Sequence, residues 1–255
     1  MSARAPDLAG LMNSTHRASL CVVAVVPARN EASRIEPVLK SMPALVSRII
    51  VVDDASEDGT GDVASRADAR VSVVRHGTRR GVGAAIEAGY AHAFDAGADA
   101  AVVLAGDGQM DPADLPALLG PIHAGRADYV KGNRLAAREA RACMSTSRWL
   151  GIHALSFGTR VASGLAVSDT QCGYTALTRA AWLRLRARPL WHGYGYPNDM
   201  LIRLAKAKLV VEEVPVRPVY FGKRGGMSAR HGLLVVPYVI ARAWWQAREL
   251  DGGCA

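Results

Sequence analysis

The chain has 255 residues, half of them hydrophobic and 21% charged, which suits one large α/β domain and excludes a disordered or fibrous protein. Its formal net charge of +8 and pI near 9.6 admit three anionic partners, namely nucleic acid, a membrane surface or a phosphorylated substrate, beside a plain solvated basic surface. Cys21, Cys143, Cys172 and Cys254 show no CxxC pair or Cys/His ligand spacing, which argues against a zinc site and for reduced thiols in a cytosolic compartment.

Residues 1–18 lack an apolar signal-peptide core, because Asp7, Asn13 and His16 interrupt them, and they read as a flexible N-terminal tail. Residues 20–26 form a continuous apolar run, as expected for a strand buried on both faces. Helical spacing follows over 31–42, then a strand over 48–52. Ser56 is placed to cap a helix that starts near Glu57. A strand over 71–74, a small-residue helix over 81–96 and a strand over 100–104 come next. Pro112 opens a further helix at a position that tolerates proline, and 128–131 is a fifth short strand. This alternation predicts a mostly parallel, Rossmann-like sheet with helices on both faces, which binds ligands at the carboxyl ends of its strands.

The second half is less regular. It reads as a helix over 147–163, a strand or loop over 170–177, a helix over 198–207 and an edge strand over 209–215 closed by proline. No low-complexity linker or internal repeat interrupts it, so one domain is expected, with the second half forming the acceptor side of a cleft. No apolar run approaches the roughly 20 residues that span a bilayer.

Four polar clusters fall just after predicted strands: Pro27-Ala28-Arg29-Asn30-Glu31, Asp53-Asp54-Ala55-Ser56, Asp107 with Gln109, and Gly132-Asn133-Arg134. A carboxylate after a strand is ordinarily a turn or helix cap. Four such clusters on one sheet edge instead describe a polar cleft. A nucleoside diphosphate leaving group is ordinarily neutralised by a hard divalent cation held through carboxylate or carbonyl oxygens. Asp107 and Gln109, two residues apart on a turn, can both reach one metal. Asp54 can accept hydrogen bonds from a base or ribose, and Arg134 and Arg148 can hold phosphate oxygens. Gly81-Val82-Gly83 lacks the full GxGxxG, so close packing of a helix on the sheet explains it better than a dinucleotide site. No GxSxG occurs, and the seven histidines form no metal-ligand pair.

In series, VVPARNE, VVDDASEDGT, GVGAAIEAGY, AGDGQMDP, GNR, SDTQCGY and RGGMS resemble family 2 glycosyltransferases of the dolichol-phosphate mannosyltransferase (polyprenyl-phosphate glycosyltransferase) type, over roughly residues 20 to 230. The resemblance implies a GT-A fold and inverting transfer from a nucleotide sugar. It assigns the nucleoside to Pro27, Arg29, Glu31, Val52 and Asp54. It gives the diphosphate to Gly106, Asp107 and Gln109, and a metal, Mg²⁺ or Mn²⁺, to Asp107 and Gln109. Ala105 stands where the family has the first Asp of DxDxQ, which removes one customary metal or phosphate contact. Arg134 and Arg148 match arginines near the donor and acceptor phosphates. Asp169 and Gly173 match the segment before the acceptor-side strand. Asp199 matches an acidic position where Glu is usual, and Arg224 and Ser228 match a loop that closes on the donor phosphates.

A polyprenyl phosphate acceptor is already an anion at neutral pH and needs orientation, which Arg134 and Arg148 would supply. A hydroxyl acceptor needs a general base, for which Asp199 is the candidate, against its alternative as a helix N-cap. The apolar stretch 233–240 followed by Arg242, Trp244, Trp245 and Arg248 suits an amphipathic helix at a membrane interface, or equally a helix packed on the domain. The expected division is a tail over 1–18, a glycosyltransferase domain over 19–228 and a helical extension over 229–255. The expected acceptor is a lipid phosphate, with the protein peripheral on the cytoplasmic face of the membrane. Two alternatives stand beside it: a soluble transferase acting on a small-molecule or saccharide hydroxyl, and a non-catalytic nucleotide-sugar-binding protein. With 6% aromatic residues and no interleaving of aromatic and basic side chains, no nucleic-acid partner is expected.

Overall fold

A computed structural model of the chain describes residues 20–136, 144–217, 219 and 231–251. The elements run β1 (Val22–Ala28), α1 (Ile35–Lys40), β2 (Arg48–Asp53), α2 (Thr60–Ala67), β3 (Val71–Arg75), α3 (Val82–Asp95), β4 (Ala100–Val103) and α4 (Leu115–His123). The second half adds β5 (Tyr129–Asn133), α5 (Thr146–Ser163), β6 (Thr175–Thr178), α6 (Arg179–Leu185), α7 (Tyr196–Lys206), β7 (Val211–Pro215) and α8 (Val236–Asp251). The seven strands form one sheet in the order β3-β2-β1-β4-β6-β5-β7. All neighbours are parallel except at β6, which runs antiparallel to β4 and β5. β1, β2, β4 and β5 therefore share one direction, and the four polar clusters predicted after them lie at one sheet edge.

The apolar run of β1 is buried along its whole length. Its residues alternate between two cores: Val22, Ala24 and Val26 face α1 and α4, while Val23 and Val25 face α3 and α7. A strand covered on both sides has no polar face, hence its continuous hydrophobicity. α3 lies tight on β1 because Gly89 sits over Val25, where an added Cβ would fall 2.2 Å from the valine side chain. The Gly81–Gly83 pair serves a different purpose from the sheet packing expected of it. A Cβ on Gly83 would fall 1.9 Å from the Trp191 carbonyl oxygen, and the Gly83 N–H donates to the His192 carbonyl at 2.7 Å. These glycines admit the backbone of residues 191–193, from the other half of the chain.

Three further expectations are corrected. The first helix begins at Ile35 rather than Glu31, because residues 30–34 form a turn tied to the loop after β2. Ser56 caps no helix. Its N–H donates to Asp53, its hydroxyl accepts from the Asn30 N–H, and α2 starts only at Thr60, after Gly59 in a left-handed conformation. Asp199 lies in the first turn of α7, whose N-cap is Gly195. At the other edge, β7 pairs with β5 and ends at Pro215, as expected of an edge strand. α8 packs across α5 and α7, burying Ala243 against Ile202, with Ala162 and Ile240 alongside. Among the described residues no helix is long and apolar enough to cross a membrane.

Candidate active site

A cleft of about 610 Å³ opens at the carboxyl ends of β1 and β2, lined on one side by Pro27, Arg29, Glu31 and Asp54 and on the other by Gly81, Val82 and Trp191. The loop after β1 is fixed by the loop after β2. Glu31 N–H donates to Thr60 Oγ1 at 2.8 Å, Ala32 N–H to Asp58 Oδ2 at 3.0 Å, and Glu57 N–H to Asn30 Oδ1 at 3.0 Å. Asn30 and Ala55 both hold positive φ, 54° and 56°, so this clasp carries backbone strain, most of all at alanine. Arg29 keeps a buried Nε with no protein partner among the described residues, a donor left over for a ligand.

Asp54 is 4% exposed, and its carboxylate is already engaged by the chain. Oδ1 accepts from His76 Nδ1 at 2.8 Å and from the Arg80 N–H at 2.7 Å, and Oδ2 accepts from the Gly81 N–H at 2.8 Å. Burial alone would raise its pKa, but these hydrogen bonds outweigh burial and hold it below the usual carboxylate value. Asp54 thus fixes the loop that forms the far wall of the cleft. With His76 Nδ1 bonded to Asp54, Nε2 is buried and has no partner among the described residues. Val52 is completely buried in the core under α3, so its side chain does not line the cleft.

Beyond β4 the chain keeps pairing with β1, through Leu104 N–H to Val25 O and Gly106 N–H to Pro27 O. It then turns. Gly108 takes φ 77°, which favours glycine, and Asp107 Oδ1 accepts from the Gln109 N–H at 3.0 Å. Asp107 and Gln109 line a second pocket of about 50 Å³ together with Arg134, Tyr174 and Arg217. Ala105 contributes no oxygen here; its N–H donates to Met110 Sδ at 3.3 Å.

Arg134 is held at two points by Asp169, Nε to Oδ2 at 2.8 Å and Nη2 to Oδ1 at 2.9 Å. Asp169 has no exposed surface. Burial pushes its pKa up, yet the charge and hydrogen bonds of Arg134 prevail and leave it below the ordinary value. Glu213 of β7 supports this pair, accepting from the Ser168 and Asp169 N–H groups and from Asn133. Lys131, also completely buried, donates to the Cys172 carbonyl, and burial lowers its pKa. Arg134 is therefore a rigid cation, aimed by its neighbours at the wall of the small pocket.

The other expected residues are more scattered. Arg148 lies near the start of α5 and lines neither pocket. Arg224 and Ser228 fall outside the described residues. Asp199 is completely buried, with Oδ2 accepting from the Trp191 N–H at 2.9 Å and paired with Arg203 at 2.8 Å, while Oδ1 has no partner among the described residues. Arg217 was not expected from sequence. It reaches the small pocket because Asp111 and Asp114 hold its guanidinium at 3.0 Å each. Those acids lie about a hundred positions away, so no local spacing announces the contact.

The sheet order defines a GT-A fold. More particularly, the chain belongs to glycosyl transferase family 2, which residues 23–184 match. It is 33% identical over 239 residues to an undecaprenyl-phosphate mannosyltransferase of Micrococcus luteus, covering 91% of this chain and 96% of that one. It is 29% identical over 212 residues to a UDP-N-acetylglucosamine–dolichyl-phosphate N-acetylglucosaminyltransferase of Methanococcus voltae, covering 77% of this chain and 84% of that one. Among solved structures it is similar to glucosyl-3-phosphoglycerate synthase of Mycobacterium tuberculosis in complex with Mn²⁺, UDP and glucosyl-3-phosphoglycerate. That likeness has a TM-score of 0.63 at 24% identity, covers 89% of this chain and 80% of that one, and speaks to the fold.

Proposed function

We propose that this glycosyltransferase moves a hexose, with inversion, from a nucleoside diphosphate sugar to a polyprenyl phosphate at the cytoplasmic face of a membrane. The observation that carries the choice of acceptor is the pairing of an arginine-walled pocket with a carboxylate that is not free to act as a base. Arg134 and Arg217 flank Asp107 and Gln109, whereas Asp199 is buried and ion-paired with Arg203. An acceptor that arrives as a phosphate anion needs cations to orient it and no group to deprotonate it. The names of the two relatives above agree with this acceptor class.

A divalent cation fits the diphosphate side. Asp107 and Gln109 offer hard oxygens, and among the described residues no group of three His, Cys, Asp or Glu side chains forms a self-sufficient cage. Mg²⁺ or Mn²⁺ held by one or two protein oxygens and the donor phosphates needs no more than that. Bound there, it would offset the charge of the departing diphosphate. Pro27, Arg29 and Glu31 would hold the nucleoside, with Asp54 securing the opposite wall. Arg134, locked by Asp169, would orient the attacking phosphate, joined by Arg148 and Arg224 where the acceptor and donor phosphates meet. The division into a domain over 19–228 and a helical extension over 229–255 is part of the same reading.

Incubation with labelled nucleotide sugars, Mg²⁺ or Mn²⁺ and polyprenyl phosphate tests it. The expected result is an organic-extractable product that is lost on chelation. Label confined to a water-soluble product would favour transfer to a small-molecule or saccharide hydroxyl. Tight nucleotide binding without turnover would favour a binding protein.

A further inference from the structure

The far wall of the donor cleft hangs on a carboxylate with one acceptor position left. An ionised carboxylate offers about four lone-pair sites, two to each oxygen. On Asp54, Oδ1 has both of its sites filled, by His76 Nδ1 at 2.8 Å and by the Arg80 N–H at 2.7 Å. Oδ2 has one filled, by the Gly81 N–H at 2.8 Å. Asp54 lines the cleft and so has a single lone pair to offer a ligand, on Oδ2. His76 is what makes that count one rather than two. It follows β3 directly, and its side chain is 6% exposed. The carboxylate only accepts, so Nδ1 carries the proton in this pair. Nε2 has no partner among the described residues, and the polar side of the ring answers Asp54 alone. The two backbone donors come with the loop, but the histidine is a side chain and can be exchanged.

A nucleobase is read by the donors and acceptors along its pairing edge. Uracil presents one imide N–H between two carbonyls, and one lone pair answers it. Guanine presents a ring N–H and an amino N–H side by side, a pair that takes both oxygens of one carboxylate. Here Oδ1 is full, so a guanine amino group set against this wall is left without an acceptor, a penalty that a fully paired base avoids. Cytosine and adenine set a bare ring lone pair beside their amino group, against the charge of the carboxylate. We infer that His76 is a positioning residue that sets base specificity: by occupying Oδ1 of Asp54 it selects a base with a single imide N–H, and so a uridine diphosphate sugar over a guanosine one. This rests on the nucleotide-sugar reading of the cleft and adds the base to it. His76 acts through Asp54 rather than on the base itself.

Isothermal titration of the full chain with UDP, IDP, GDP and CDP in the presence of Mn²⁺ tests it. IDP is the discriminating probe, because hypoxanthine is a purine that keeps the ring N–H and lacks the amino group. UDP should bind about tenfold or more tightly than GDP, with IDP also tighter than GDP and CDP weak. His76→Leu fills the space without a donor and frees the second site on Oδ1, so it should narrow the IDP-to-GDP ratio about fivefold or more. His76→Asn, whose amide can still donate to Oδ1, should keep the wild-type order. Each ratio compares two ligands on one protein, so a general loosening of the loop, which weakens every nucleotide alike, does not move it. GDP bound as tightly as UDP by the wild type overturns the inference. So does an unchanged IDP-to-GDP ratio in a His76→Leu variant that melts as a folded protein. If that variant does not fold, equal affinities of the wild type for IDP and GDP overturn it, and a preference for IDP upholds it. No binding of any of the four overturns it together with the assignment of the cleft. Transfer from UDP- and GDP-hexoses to polyprenyl phosphate is scored separately. If GDP is preferred and a lipid product forms, only the base is wrong. If UDP is preferred and none forms, only the acceptor is.

Discussion

The two halves of the sheet use their carboxylates in opposite ways. On the donor side, Asp53, Asp54 and Asp58 accept mainly from backbone N–H groups and, at Asp54, from one histidine. They freeze loops. On the acceptor side, Asp169 and Asp199 are completely buried and answer arginines. They aim or neutralise side chains. A carboxylate bonded to backbone can be deleted at the cost of local order, but one bonded to a partly buried arginine leaves a charge behind. The donor half should therefore fail softly, through affinity, and the acceptor half abruptly, through stability or chemistry.

Five substitutions would sharpen or break that contrast. The largest effect is expected where the halves meet: Asp107→Ala should lower the transfer rate by about a thousandfold or more with little change in melting temperature. Wild-type initial rates in that variant would remove Asp107 from the metal and diphosphate site. Next comes Asp169→Asn, which strips Arg134 of its two-point partner and should cost about 3 kcal/mol in urea unfolding. The folded pKa of Asp169 lies below its unfolded value, so its contribution is present above about pH 4 and lost as pH falls through the lower, folded value. Melts across that window should show a weaker acid dependence in the variant than in wild type. Asp54→Asn should act more gently, raising donor KM about tenfold with a smaller change in kcat, because it loosens the Arg80–Gly81 wall. A Tm loss as large as that of Asp169→Asn would erase the distinction between the halves.

Asp199→Asn should leave kcat within about tenfold of wild type if the acceptor is already an anion, whereas loss of a general base would cost about 10²- to 10⁴-fold. The pH–rate profile separates the two outcomes. Smallest is Ala105→Asp, which returns a carboxylate to the segment before the Asp107 turn. The metal concentration for half-maximal activity should fall, with kcat changed only a fewfold. An unchanged metal titration would mean that position 105 lies beyond reach of the cation.

The parallel core was legible because strands covered on both faces must be apolar throughout, as β1 and β2 are. The cluster positions followed from strand direction alone. β6 was hidden as a strand-or-loop segment because Thr175 and Thr178 bracket only two apolar residues. Ser56 misled because a serine before a helical stretch satisfies the local capping rule, while the structure spends it on Asn30, a contact across 26 positions. Arg217 was invisible for the same reason at longer range. Asp54 was expected to accept from a base or ribose, but its engagement with His76, Arg80 and Gly81 depends on a fold that a linear pattern does not contain.

The fit between Gly83 and the Trp191–His192 backbone also governs how far this enzyme can be treated as modular. Exchanging residues 20–104 for a relative's, to change the donor, would graft a surface that must admit a foreign main chain within hydrogen-bonding distance. Any incoming residue at position 83 larger than glycine collides with the Trp191 carbonyl. Trp191 is in turn covered by Tyr238, 6.0 Å between rings, and by Arg242, 5.4 Å from its ring centre. The practical seam for a chimera thus lies outside this clasp, and a working hybrid inherits the 81–83 and 191–193 segments, together with α8, as one inseparable cassette.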